Sequence, residues 1–188
     1  HSFTNTLALD VGDEKSSVRA SFTSQNSSGI VPTNDLRRQT VFLRGFTKMK
    51  DIIELDGKVT YIHSNVQNRP GLAEAATNPG YYLSIMPRNM VSRDLHTYME
   101  DDNGREQLWT GDSYTGNPYW QLYNATNTDQ KHRLQGVFSG KIIFNPHLNL
   151  LIRSGMDYTN QTAHDQVAKG SIANNLNGYV GNSINDYL

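Results

Sequence analysis

Six stretches of this chain alternate apolar and polar side chains, and the connections between them run short, long, short, long, short. The stretches are residues 3–11, 18–24, 38–47, 53–63, 133–144 and 149–158. Successive side chains of a strand point to opposite faces, so a period of two predicts strands with one oily and one wet face. In the fourth stretch Ile53, Leu55, Gly57, Val59 and Tyr61 share one face, and Glu54, Asp56, Lys58 and Thr60 the other. Leu150, Ile152, Met156 and Tyr158 stand likewise against Asn149, Arg153 and Asp157. Leu134, Phe138 and Ile142 oppose Arg133, Gln135, Ser139 and Lys141. Residues 12–15, 48–51 and 145–147 close the three pairs as tight turns, whereas residues 25–35 and 65–130 make the longer connections.

Alternation alone suits two architectures. An antiparallel sandwich, which would make the chain a soluble carbohydrate-binding module, would turn the apolar face onto a shared core. A transmembrane β-barrel would turn it to lipid and the polar face to a wet lumen or plug. Tight turns at one end and long loops at the other favour the barrel, as do strands of about ten residues. The expected fold is all-β: about six up-and-down antiparallel strands in three hairpins, part of a large transmembrane barrel. Residues 66–130 are expected as a long extracellular loop and residues 160–188 as another outer loop. The smallest such barrels have about eight strands, so the barrel reading expects the chain to belong to something larger. Tyr61 and Tyr158, near the long-loop ends, suit an interfacial aromatic girdle.

Bulk properties add little. The net charge of −1 provides no basic patch for nucleic acid, and cysteine is absent. No run of eighteen apolar residues occurs, so no membrane helix is expected. A mean hydropathy of −0.61 ordinarily points to a soluble protein, but barrels carry polar residues on half of each strand and throughout their loops. The opening His1-Ser2-Phe3 lacks a signal peptide, which fits a processed chain or an internal piece.

Between the second and third stretches stand Gly29-Ile30-Val31-Pro32-Thr33-Asn34-Asp35-Leu36-Arg37-Arg38. Further on come Met86-Pro87-Arg88-Asn89-Met90 and Gly116-Asn117-Pro118-Tyr119-Trp120-Gln121-Leu122. The first resembles the "G-I-V-P, then Asp, then Arg" hairpin found early in the barrel of SusC/RagA-type TonB-dependent transporters. The others resemble that family's "PR-N" and "NPYW" loop motifs, the latter just before a strand opening with Arg133. The three stand in the family's order and spacing, and the likeness covers nearly the whole chain.

The resemblance implies an importer in the bacterial outer membrane, with about 22 strands around a plug. It implies a SusD-like surface lipoprotein as lid, oligosaccharides or peptides as substrate, and energy from the TonB complex acting on the plug. No TonB box, plug sequence, family N-terminal extension or closing C-terminal strand is found. The likeness therefore reaches only an early portion of the barrel, and transport is not expected of these residues alone.

The long connection carries Tyr81, Tyr82, Tyr98, Trp109, Tyr114, Tyr119, Trp120 and Tyr123. Aromatic faces stack on the C–H faces of sugars and pack against a protein lid. They serve equally as a loop's own core, without which so long a loop would be disordered. Tyr81, Tyr82, Trp109, Tyr119 and Trp120, with Arg88, are the candidates for touching ligand or partner. Arg88 belongs to a mixed-charge patch with Arg93, Asp94, Glu100, Asp101 and Asp102, charges that are most often simply solvated. Asn117 and Pro118 suit a turn scaffold, one capping and the other fixing φ.

Chemistry of other kinds is not expected. The six histidines show no metal-ligand spacing, and no cysteines complete a zinc site. Asp101-Asp102-Asn103-Gly104 faintly resembles a calcium loop, but Met99 falls at the first ligand position. Neither a Gly-x-Ser-x-Gly elbow nor Ser-x-x-Lys occurs, and Glu54 and Asp56 read as lumen-wetting groups. No cofactor and no enzymatic activity are expected.

Overall fold

The computed structural model describes residues 1–75, 78–110, 115–171 and 177–187. The described strands are β1 (Ser2–Gly12), β2 (Ser16–Ser28), β3 (Asp35–Met49), β4 (Ile53–Gln67), β5 (Ala125–Asn145), β6 (Leu148–Val167) and β7 (Tyr179–Tyr187). They form one antiparallel sheet whose spatial order is the chain order, and β1 does not meet β7, so the sheet is not closed into a barrel. Among the described residues no second sheet covers either face, so the sandwich has no opposing layer. Among the described residues three short helices, α1 (Pro79–Ile85), α2 (Ser92–Thr97) and α3 (Pro118–Asn124), lie in the connection from β4 to β5. Among the described residues no helix is long and apolar enough to cross a membrane.

The register makes the alternating faces continuous across strands. Leu7, Phe22, Val41, Tyr61, Leu134 and Tyr158 stand side by side in one row. The next row towards the tight turns is Leu9, Ala20, Leu43, Val59, Gly136 and Met156. Most of these side chains are open to the surroundings: Leu7 is 77% exposed and Met156 51%. Just above the tyrosine row the same face turns polar, with Ser24, Gln39, His63, His132 and Asn160 in line. Tyr61 Oη lies 2.7 Å from His132 Nδ1, and Tyr158 Oη donates to Asp186 Oδ1 at 3.2 Å. Both rings thus lie at the edge of the oily band with their hydroxyls bonded into the polar zone.

The opposite face carries cross-strand ion pairs. Arg44 grips Asp56 through Nε at 3.0 Å and Nη2 at 2.8 Å, and Arg133 Nε donates to Asp157 at 2.8 Å. Lys141 sits 3.4 Å from Glu54, and Arg19 3.6 Å from Asp10. Such exposed pairs are screened by water and weak, so they wet this face more than they hold it.

Two expectations from the sequence are corrected. The outer loop expected over residues 160–188 is largely strand, because β6 runs to Val167 and β7 pairs with it from Thr159↔Tyr187 to Val167↔Tyr179. The expected Ala173-Asn174-Asn175-Leu176 portion of that loop lies outside the described residues, as does Tyr114. The long connection is narrower than residues 66–130, since β4 continues to Gln67 and β5 begins at Ala125. The physical reason is common to both. Beyond the oily band the strands persist with polar side chains on both faces, so the alternation fades while the backbone ladder continues. Among the described residues seven strands result where about six were expected.

Candidate binding surface in the long connection

The 29–34 connection is tied to the long one by asparagines. Asn34 Nδ2 donates to the carbonyls of Gln67 and Asn68, each at 3.1 Å, and Asn68 Nδ2 returns a bond to Thr33 O at 3.3 Å. Asn68 and Asn127 then lock the two ends of the long connection. Asn127 Oδ1 accepts from Arg69 N at 2.9 Å, while Asn68 Oδ1 accepts from Asn127 N at 3.2 Å. Short amide side chains fit here because each can mimic a missing backbone partner.

Both longer helices begin on an Asn-Pro pair. Asn78 Oδ1 accepts from Tyr81 N ahead of α1, and Asn117 Oδ1 accepts from Tyr119 N at 3.0 Å and Trp120 N at 3.4 Å ahead of α3. Proline at the first helical position gives up only an N–H that would be orphaned anyway. Asn117 is itself buried and also donates through Nδ2 to Leu95 O at 3.0 Å and Gln107 O at 3.2 Å.

Glu106 is the polar centre of this region and is 1% exposed. Its Oε1 accepts from Asn117 N at 2.8 Å and Gln121 Nε2 at 2.7 Å, and its Oε2 from Ser171 Oγ at 3.2 Å. Its own N–H donates to Gly170 O at 2.9 Å. The carboxylate thereby joins the long connection to the segment after β6. Nothing local in the sequence marks it, because Ser171 and Gly170 arrive from far along the chain.

The sequence candidates fall into different places. Trp120 is 1% exposed and packs with Ala125, Val167, Met99 and Ala168 in the small apolar core beneath the connection. Tyr82 is also buried, and Tyr81 meets it edge-on with centroids 5.4 Å apart. Buried in this way, Trp120 and Tyr82 cannot touch a ligand or partner and serve as core. Partial burial, and next the Glu74 carboxylate, hold the Tyr81 phenol above its usual range. Trp109 is half-buried, with Nε1 donating to Gly116 O at 3.3 Å. Arg88 is exposed between α1 and α2, and among the described residues it has no carboxylate partner within salt-bridge distance.

Of the six, Tyr119 lines the groove between the two connections. Its floor and walls come from Ile30 and Pro32 of the 29–34 connection, Pro79 and Leu83 of α1, and Pro118 and Tyr119 of α3. The lining is almost wholly apolar, and Ile30 projects fully into the surroundings. Arg88 and Trp109 do not line it. The sequence reading singled out Tyr119 but not Ile30, Pro32 or Leu83 as site residues, because only the asparagine ties bring the two connections together.

The faint calcium-loop segment has a local explanation. Asp101 Oδ1 accepts from Asn103 N and Arg105 N, both at 2.8 Å, and Gly104 takes a φ of +72°. The backbone N–H of Arg105, and then that of Asn103, hold this carboxyl below its usual range. Among the described residues, no three His, Asp or Glu side chains converge as a metal site. The sequence matches no protein-family model and no curated relative.

Proposed function

We propose that this chain is a wall section of an outer-membrane β-barrel importer of the SusC/RagA-type, TonB-dependent kind. In this reading the Leu7–Tyr158 face meets lipid, the Arg44–Asp56 face lines the lumen, and the tight turns lie in the periplasm. The observation that carries it is a single-layer sheet with one continuous, uncovered apolar band bounded by Tyr61 and Tyr158. In water such a band would be a severe liability, since monomeric soluble proteins rarely expose apolar patches beyond a few hundred Å². Its height also suits a bilayer. From Ile53 to Tyr61 a strand rises about 27 Å, which a tilt of about 40–45° reduces to about 20 Å, near the ~25 Å band of such barrels. Tyrosine rings with bonded hydroxyls at the rim match an interfacial girdle.

Residues 68–124 then face outward, with Arg88, Trp109 and Tyr119 available to an oligosaccharide, a peptide or a SusD-like lipoprotein. TonB would act through a plug supplied elsewhere. Because the chain has no cysteine, introduced thiols report its placement directly. In cells carrying the intact protein, Leu43→Cys, Val59→Cys and Ile152→Cys should resist a water-soluble maleimide, while Tyr119→Cys should label from outside. Equal labelling at all four would remove the membrane reading. Combined Trp109→Ala and Tyr119→Ala should reduce uptake or partner assembly, and unchanged values for both would refute the role of the connection.

A further inference from the structure

On the charged face the register sets like charges side by side. Arg19 of β2 pairs with Arg44 of β3, and Arg44 with Lys58 of β4. Like charges directly opposite one another destabilise a sheet, so this row weakens the sheet that carries it. Arg153 of β6 joins them in the next row, across Ser139 from Asp56. Two carboxylates stand against these four cations: Asp10, 3.6 Å from Arg19, and Asp56, held at 2.8 Å by Arg44. Among the described residues Lys58 and Arg153 have no carboxylate within salt-bridge distance. The chain as a whole carries −1, so the excess of positive charge is local. Arg44, Asp56, Lys58, Ser139 and Arg153 surround an open concavity of about 510 Å³, completed by Phe42 and Val137. Phe46 stands directly beside Asp56. Phenyl rings therefore flank Arg44 on both sides along β3, on a largely polar face.

We propose that this concavity binds the carboxylate or sulfate group of an acidic oligosaccharide. The site rests on the importer reading and narrows its solute to an anionic sugar chain. Arginine offers such an anion a fork of N–H donors, and lysine a point charge. Asp56 already engages Arg44, so Lys58 and Arg153 supply the unspent charge. An anion between them offsets the repulsion along the row, which the sheet's own carboxylates do only in part. A sugar ring adds what a bare anion lacks, because its C–H face stacks on the Phe42 ring and its hydroxyls reach Ser139. Asp56 and Lys58 fall between Ile53 and Tyr61, so the concavity lies at the height of the oily band on the opposite face. In the importer reading that is the wall of the lumen, in the path of a passing solute.

The test is calorimetry on the intact protein in detergent micelles. The probes are hexagalacturonate as the acidic sugar, maltohexaose as the neutral one and hexaglutamate as an acidic peptide. Hexagalacturonate should bind most tightly, and less tightly as added salt shortens the reach of charge. Lys58→Gln combined with Arg153→Gln should weaken it by about 10-fold, the sum of two water-facing charge pairs. Phe42→Ala should weaken it as well. Arg37→Gln, on the opposite face beside Asn65, should leave it unchanged. The double variant relieves a like-charge contact, so it should unfold no earlier than the wild type in denaturant, which separates lost binding from lost fold. Equal affinity for hexagalacturonate and maltohexaose, or binding of neither, overturns the site, as does undiminished affinity in the double variant. Tighter binding of hexaglutamate overturns the sugar assignment. The membrane reading fails separately: maleimide labelling of Leu43→Cys with the preference for hexagalacturonate intact would remove the importer and leave the anion site standing.

Discussion

Asn117 occupies a position that few other side chains could fill. One amide caps α3 through its oxygen and closes onto Leu95 and Gln107 through its nitrogen, while its backbone N–H meets Glu106. Removing a cap costs about 1 kcal/mol, and stranding buried polar partners about 1–3 kcal/mol. Asn117→Ala should therefore destabilise the connection by about 2–4 kcal/mol, read as faster hydrogen exchange in α3 with the sheet amides unchanged. Asp101 makes a pH-dependent counterpart. Its folded carboxyl is held below the usual range by the Arg105 and Asn103 amides. The turn is thus fully supported above the ordinary carboxylate range and loses support as pH falls through the lowered value. The Asn103 and Arg105 amide resonances should titrate together at acid pH, and Asp101→Asn should remove that titration. Of these residues, the capping role of Asn117 was legible because an Asn-Pro pair is a local signal. The Glu106 centre was not, since its partners come together only through the tertiary fold.

At the level of elements, the β3–β4 turn carries measurable strain. Lys50 and Asp51 have φ of +48° and +57°, the left-handed pair that a two-residue turn needs to follow the twist of its strands. Glycine adopts such angles freely, whereas an L side chain costs about 1 kcal/mol. Lys50→Gly should stabilise the hairpin by about 0.5–1 kcal/mol in denaturant unfolding, while keeping the Lys48–Asp51 pair at 3.1 Å. The oily halves of six strands were legible in advance because a one-sided environment imposes a period of two. Their polar upper halves, and β7 entirely, were not. In Thr159–Val167 and Tyr179–Tyr187 both faces are mainly polar, and the backbone ladder to the neighbour decides the conformation.

Taken as a whole, the molecule is a curtain of hairpins with two faces of opposite chemistry and the small packed body of the connection at one end. The importer reading makes the two faces unequal to mutation. Leu43→Arg, in the middle of the oily band, should cost about 2–4 kcal/mol and impair membrane assembly. Thr60→Arg, on the charged face, should be accommodated with a change below about 1 kcal/mol. Equal penalties in a detergent-refolding assay would contradict the assignment of faces. One further consequence lies in the β4–β5 pairing. Most neighbouring strands find each other across short connections, but β4 must wait for residues 68–124 to bring β5 back. Closing so long a loop costs about 2 kcal/mol more than closing a four-residue turn. Growth of the curtain should therefore pause at that seam, and the Asn68–Asn127 lock becomes the device that ends the pause. A kinetic trace of assembly would show Asn127→Ala slowing the late phase while leaving the β1–β4 half to zip at its usual speed.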